Sequence, residues 1–346
     1  MNIAIVTGGG DAPGLNAVIR SAVLSSLGLG WTISGLRDGM RSLMFPQEYP
    51  DGPLIPLDRS SVRGITFLGG TILGTTNQAN PLEPVDTTPQ IIESLKAHRL
   101  DALLMVGGDG TMAIAAAIAR RGFPVVGIPK TIDNDLDGTV VTFGFDTAVE
   151  FATQCIDRLH STAESHGRVM VVEVMGRYAG WIALESGLAG TADVILIPEI
   201  PYKLESVLAK LQERRSHRGF SLVVIAEGAH AAGESYAKDK SGRLGGAAQR
   251  LVAAISESTG LDTRSVVLGH LLRGGPPNAR DRLYSLRFGA AAVRALAEGR
   301  RADMVALDPP NVRYLPLEEA TRRMKTVPLD CDSILTARSL GTCLGD

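Results

Sequence analysis

The apolar positions of this chain fall into short continuous runs, each separated from the next by a glycine turn and a stretch of helical period. Ile3, Ala4, Ile5 and Val6 make the first run and predict a buried strand over residues 2 to 6. After a loop at 8 to 14, Leu15, Val18, Ile19, Ala22 and Val23 recur at helical spacing, which predicts a helix over 15 to 27 stopped by Gly28. The same rhythm predicts strands at 31 to 36, 102 to 106, 125 to 128, 169 to 174, 193 to 197, 221 to 226 and 265 to 268. Helices are predicted at 88 to 98, at 111 to 121 and from Asp146 onward, where Ala148, Ala152, Cys155, Ile156 and Leu159 share a face. Residues 37 to 64, with Pro46, Pro50, Pro53 and Pro56, read as irregular, and 69 to 81 as a polar glycine loop. Strands alternating with helices predict an α/β protein of mostly parallel sheets covered on both faces.

Composition narrows the function. The chain has 346 residues, enough for two ordinary domains or one large α/β unit with an insertion, and 45% of them are apolar. Its net charge of −2 conceals no long run of one sign, so neither a nucleic-acid footprint nor a membrane-surface helix is expected. No apolar run approaches the roughly 18 residues of a spanning helix, and the N-terminus reads as a first strand, not a signal peptide. Cys155, Cys331 and Cys343 show neither metal-ligand spacing nor a disulfide framework, which suits a reducing, cytoplasmic compartment.

The most informative stretch is Pro129-Lys130-Thr131-Ile132-Asp133-Asn134-Asp135-Leu136-Asp137-Gly138. Three carboxylates in five residues repel one another, and the crowding is tolerable beside a cation or where one carboxylate takes a proton. A solvated turn capped by Asn and Asp is the plain alternative. Two glycine turns alter the balance: Gly8-Gly9-Gly10-Asp11 and Gly107-Gly108-Asp109-Gly110-Thr111 each join a strand to a helix, where free N–H groups attract phosphate. In open parallel sheets ligands bind beyond the C-terminal strand ends, and these candidates sit at such ends. The first loop has Pro13 where a dinucleotide fingerprint needs its third glycine, and no P-loop occurs. Phosphoryl transfer to a hydroxyl needs a base, a metal on the donor and cations around the moving charge. Asp133 suits the base, Asp109 a magnesium ion, and Asp135 the orientation of either. Arg168, Arg177, Arg264, Arg273 and His270 supply cations beside polar turns, and Glu227 could accept from sugar hydroxyls.

Residues 129 to 135, Glu173-Val174-Met175-Gly176-Arg177 and Gly269-His270-Leu271-Leu272-Arg273-Gly274-Gly275 together resemble the phosphofructokinase family, over about residues 2 to 300. The resemblance implies two doubly wound domains, 1–144 plus about 272–322 for the phosphoryl donor and about 145–271 plus 323–346 for the sugar phosphate, with the active site in the cleft between them. It implies transfer from ATP with Mg²⁺ to the 1-hydroxyl of fructose 6-phosphate, a step of glycolysis. Pyrophosphate as donor is the alternative, and a non-catalytic sugar-phosphate sensor a more remote one. By the same resemblance Asp133, Asp135, Arg177, Lys130 and Thr131 are catalytic. Gly10, Asn77, Gln78, Gly108, Asp109, Gly110 and Thr111 hold the donor, with Asp109 on the metal. Thr131, Ile132, Asp133, Met175, Gly176, Arg177, Glu227, His270 and Arg273 hold the sugar phosphate. Arg168 and Arg264 match positions that the family supplies from a neighbouring subunit, which implies a homo-dimer or tetramer. ATP users of the family often have glycine at the place of Gly110, whereas Lys130 stands where pyrophosphate users have lysine. Asn77-Gln78 replaces the arginine and aromatic residue of many ATP users.

Overall fold

The computed structural model describes residues 1–217, 219–234 and 245–346. In chain order β1 (Asn2–Thr7), α1 (Leu15–Gly28), β2 (Thr32–Leu36), α2 (Arg41–Met44), β3 (Leu54–Leu57), α3 (Thr88–Ala97) and β4 (Ala102–Gly107) come first. They are followed by α4 (Asp109–Arg120), β5 (Val125–Thr131), β6 (Phe143–Gly144), α5 (Phe145–His166), β7 (Val169–Val174), α6 (Trp181–Ala189) and β8 (Val194–Leu196). Next are α7 (Leu204–His217), β9 (Ser221–Ala226), α8 (Ala247–Thr259) and β10 (Thr263–Val267). The chain then forms α9 (Ala279–Ala297), β11 (Ala302–Asp308), β12 (Asn311–Pro316), α10 (Leu317–Ala320) and α11 (Asp332–Ser339). These make two compact units: Met1–Asp146 with Arg273–Met324, and Thr147–Leu272 with Lys325–Asp346.

The first unit is built on one sheet in the order β12-β11-β5-β4-β1-β2-β3, with β6 on the end of β5. Its central pairs are parallel, and only β2–β3 and β11–β12 run antiparallel. Alternate residues of each strand face opposite sides. Ile3, Ile5, Leu104 and Val126 pack with Val18 and Ile19 of α1 and Phe288 and Ala292 of α9. Ala4, Val6, Leu103 and Met105 pack on the other side with Ile91 and Leu95 of α3 and Met112 and Ala115 of α4. Burial on both faces is why these strands read as unbroken apolar runs instead of alternating ones. Each of the larger side chains, from valine to phenylalanine, contributes roughly 1.5–3 kcal/mol of transfer free energy.

Local sequence preference is overridden in three places. β3 lies within the stretch expected to be irregular; Pro56 is accommodated because β3 is the edge strand. β5 continues past Ile128 through Pro129, Lys130 and Thr131, since the last two pair with Phe143 and Gly144 of β6. The hairpin of β11 and β12 adds two strands beyond the last one expected.

The second unit has an all-parallel sheet in the order β10-β7-β9-β8. Every residue of β7 and β9 is buried. α6 packs on β8 and β9, and α8 on β7 and β10. The C-terminal segment is sewn to this unit: Ile195 N–H donates to the Cys343 carbonyl at 2.9 Å, and the Glu199 carboxylate accepts from Gly180 N–H at 3.0 Å and Val327 N–H at 2.8 Å. The three cysteines are free thiols. Among the described residues no helix is long and apolar enough to cross a membrane.

Candidate active site

In the first sheet β1 is flanked by β2 on one side and β4 on the other, so the chain leaves β1 in one direction and later returns on its opposite side. The loops beyond β1 and β4 therefore part, and a ligand crevice opens at the carboxyl ends of the strands. A cavity of about 260 Å³ lies there. Gly9 and Gly10 reach it from β1; Gly108, Asp109, Gly110 and Thr111 from β4; Lys130, Thr131, Asp133 and Asp135 from β5. Thr76, Asn77, Ala79 and Asn80 line it from the polar loop, and Arg273 from the returning chain.

Close packing fixes these loops. α4 starts at Asp109, two residues earlier than expected, which sets Asp109 in the first turn of a helix where a negative charge is favoured. Gly107 allows this turn to close: a Cβ there would stand 2.2 Å from Thr111 Oγ1. A Cβ on Gly110, in contrast, would meet nothing within 4 Å. The polar loop is tied to the first glycine turn by Thr75 Oγ1, which donates to the Gly9 carbonyl at 2.6 Å, and to the end of β1 by Thr7 Oγ1, which donates to the Gly74 carbonyl at 2.7 Å. On the far side of the cavity, Asn134 takes a left-handed conformation with φ 52°, which asparagine tolerates. Its Oδ1 accepts from Thr142 N–H at 3.1 Å, while Thr142 Oγ1 donates to the Thr131 carbonyl at 2.7 Å. This anchored turn carries Asp133 and Asp135 into the same cavity.

The charges there are mutually dependent. Arg273 Nη2 lies 3.9 Å from Asp133 Oδ2, and Arg273 Nη1 donates to the Asp11 carbonyl at 3.2 Å. Lys130 is buried, and its Nζ donates to the Gly10 carbonyl. Burial, with Arg273 adding to it, lowers the Lys130 ammonium to about 8, against the pull of Asp11, Asp133 and Asp135. Burial, then the neighbouring Asp133 and Asp109, raises the Asp135 carboxyl to about 6. Asp135 Oδ1 is buried with no hydrogen-bond partner.

Of the residues expected on the donor side, Gly10, Asn77, Gly108, Asp109, Gly110 and Thr111 line this cavity and Gln78 does not. Ile132 is fully buried and does not line the cavity. Thr76 and Asn80 were not singled out in the sequence, although both stand in the polar loop that it marks; nothing distinguishes them there from the other hydroxyl and amide residues.

The remaining candidates belong to the second unit. Met175, Gly176 and Arg177 follow β7, Glu227 follows β9, and His270 follows β10, all at carboxyl ends of the sheet. Their loops are interlocked: Glu227 N–H donates to the Val174 carbonyl and Gly228 N–H to the Gly176 carbonyl, at 2.9 and 3.1 Å. A Cβ on Gly228 would lie 1.9 Å from the Arg177 carbonyl oxygen, so only glycine fits. Arg177 is exposed, with its guanidinium carbon 5.8 Å from the Tyr178 ring centroid. Arg168 and Arg264 are placed differently. Arg168 precedes β7 and Arg264 is the second residue of β10, so both stand at the amino ends of their strands, about 20 Å from Arg177 at the rise of a β-strand. The strands expected at 169 to 174 and 265 to 268 already put both arginines at amino ends, apart from the other cations.

The class of fold and the crevice at its switch point agree with what the chain is similar to. A family profile described as phosphofructokinase matches residues 2–296, and the chain belongs to that family. It is 48% identical over 352 residues to an ATP-dependent 6-phosphofructokinase of Chloroflexus aurantiacus, covering 99% of this chain and 98% of the relative. It is 47% identical over 336 residues to a pyrophosphate–fructose 6-phosphate 1-phosphotransferase of Streptomyces coelicolor, covering 94% and 96%. A crystal structure of a pyrophosphate-dependent phosphofructokinase from Marinobacter aquaeolei shares the fold, with a TM-score of 0.83 at 22% identity over 100% of this chain and 92% of the other.

Proposed function

We propose that this phosphofructokinase transfers a phosphoryl group from magnesium-bound ATP to the 1-hydroxyl of fructose 6-phosphate, giving fructose 1,6-bisphosphate in the cytoplasm. The observation that carries the reading is the single cavity shared by Asp109, Asp133, Asp135, Lys130 and Arg273. Asp133 takes the proton of the sugar hydroxyl, and Asp135 and Thr131 hold it in place. Lys130 and Arg273 balance the charge of the moving phosphoryl group. The first unit is thereby the donor domain, with Gly10, Asn77, Gly108, Gly110 and Thr111 around the phosphates. The second is the sugar-phosphate domain, with Met175, Gly176, Arg177, Glu227 and His270 as its contacts.

A magnesium ion fits the donor set. Three carboxylates crowd one cavity and one buried Asp135 oxygen lacks a partner, so a hard cation relieves their repulsion. No group of three or more His, Cys, Asp or Glu is arranged to hold a metal among the described residues. Asp109 would therefore hold the ion together with water and donor oxygens, the arrangement magnesium prefers. When bound, the ion neutralises charge on the donor phosphates.

The open space at Gly110 favours ATP, since a third phosphate and its nucleoside need room beside α4. Lys130 in the same cavity favours pyrophosphate as the second reading, because a buried ammonium neutralises a small anionic leaving group. Arg168 and Arg264, at the far end of the sheet from Arg177, are read as serving the sugar phosphate of a second copy, which makes the active enzyme a homo-oligomer. Initial rates with ATP and with pyrophosphate across a fructose 6-phosphate titration test the proposal. Turnover with pyrophosphate alone reverses the donor; no product with either supports a sensor instead.

A further inference from the structure

Arg168 and Arg264 share one carboxylate. Asp262 Oδ2 accepts from Arg168 Nε at 2.5 Å, and Asp262 Oδ1 lies 2.5 Å from Arg264 Nη1. The arrangement is set by the backbone: Val169 N–H donates to the Asp262 carbonyl at 3.0 Å, which puts Asp262 beside Arg168 where β7 and β10 begin. Asp262 stands just before β10, and Arg264, two residues further on, lies on the same side of the extended chain. The carboxylate engages Arg168 through Nε and Arg264 through Nη1, which also donates to the Thr263 carbonyl at 3.0 Å. One negative charge between two guanidiniums leaves the trio net cationic and removes much of the repulsion that would drive the arginines apart.

We propose that Asp262 is a positioning residue for the reaction: it holds Arg168 and Arg264 side by side as one paired cationic site for the phosphate of a sugar phosphate bound by a second copy of the chain. This rests on the reading of those two arginines given above. Asp262 does not touch the substrate in this role. A carboxylate near two cations also competes with an incoming phosphate, and the balance decides the sign of its effect. All three side chains are exposed or half-buried, with relative accessibilities of 29% for Arg168, 57% for Arg264 and 40% for Asp262. Long-range attraction is screened at such sites, whereas the conformational cost of fixing two long side chains is not. Pre-ordering therefore outweighs competition, and the arginines bind phosphate better with Asp262 than without it. The Asp262 carboxyl itself is held below the usual range by its hydrogen bond from Arg168, so it stays charged at neutral pH.

The test is steady-state kinetics of the full-length protein at saturating donor, with fructose 6-phosphate varied. Asp262→Asn, close in shape, is expected to raise the KM for the sugar phosphate about tenfold, the loss for one to two freed side chains. The kcat and the donor KM should stay within about twofold of the parent. Asp262→Glu, which keeps the charge, should recover most of the loss. In an Arg168→Ala, Arg264→Ala background, Asp262→Asn should add nothing. An unchanged or lowered KM in Asp262→Asn, while each arginine variant raises it, overturns the positioning role and leaves the arginine reading standing. Arginine variants with an unchanged KM sink that reading and this inference with it. Sedimentation equilibrium covers the structural explanation: if Asp262→Asn dissociates and its KM recovers at high protein concentration, the carboxylate only maintains assembly and the proposal fails.

Discussion

The cavity at the ends of β1, β4 and β5 and the Arg168–Asp262–Arg264 trio both crowd like charges, and they manage the crowding by different physics. In the cavity Lys130 is buried and Asp135 nearly so, and desolvation heads the causes that move both groups toward their neutral forms. In the trio the charges stay in water, and a hydrogen bond between opposite charges holds the Asp262 carboxyl low. A buried cluster is therefore poised to gain or lose protons near neutral pH, while an exposed one keeps its charges and works through geometry. That contrast suits a place where a proton is moved and a place where an anion is merely gripped.

The comparison breaks most readily at Asp133. Asp133→Ser is expected to lower kcat by about 10²- to 10⁴-fold with the fold retained, measured by product formation and circular dichroism. A variant that turns over like the parent removes Asp133 from the base role. The next effect concerns Lys130. As its ammonium loses a proton above about pH 8, kcat/KM should fall about tenfold by pH 9, and Lys130→Met should abolish that limb while lowering activity throughout. An alkaline limb unchanged in Lys130→Met assigns it to another group. Gly110→Asp, which puts a carboxylate into the open space over α4, should cost about tenfold in kcat/KM for ATP, as expected for about 1.4 kcal/mol of misplaced charge, and less for pyrophosphate.

Asp135 gives a smaller, thermodynamic signal. Its folded pKa of about 6 stands above the unfolded value, so between about pH 4 and 6 the folded state keeps a proton that the unfolded chain has released. Stability drops as pH rises through that window, and the deficit is complete above it. Asp135→Asn should therefore be more stable than the parent by about 1–3 kcal/mol at pH 7 and equal to it near pH 4, in metal-free urea titrations. The smallest change is expected at the exposed cluster: Asp262→Asn should leave Tm within about 2 °C of the parent.

How far the sequence reveals this arrangement depends on which residues carry the information. β7 and β9 are legible to the residue because burial on both faces makes them unbroken apolar runs closed by Met175-Gly176 and Glu227-Gly228. β3 is hidden by Pro56, and β6 is only two residues long and exists by pairing with the end of β5. The donor-side residues could be picked out because glycine turns and clustered aspartates are local signals. Arg168 and Arg264 could be selected, and the strands expected after each of them already put both at amino ends. Asp262 left no local trace at all. Its significance arises from the register of β7 against β10, a property of the sheet that no stretch of residues contains.

The interrupted course of the first unit bears on how the chain is made. When a ribosome has released residues 1 to 146, five of its eight strands lie in order from β5 to β3 with β6 alongside, but β5 still presents a bare flank and α1 has no α9 to pack against. The missing pieces, α9 and the β11–β12 hairpin, emerge only after 126 further residues, Thr147 to Leu272, have been synthesised. Nascent chains of this protein thus carry an unfinished apolar surface for the whole of that interval.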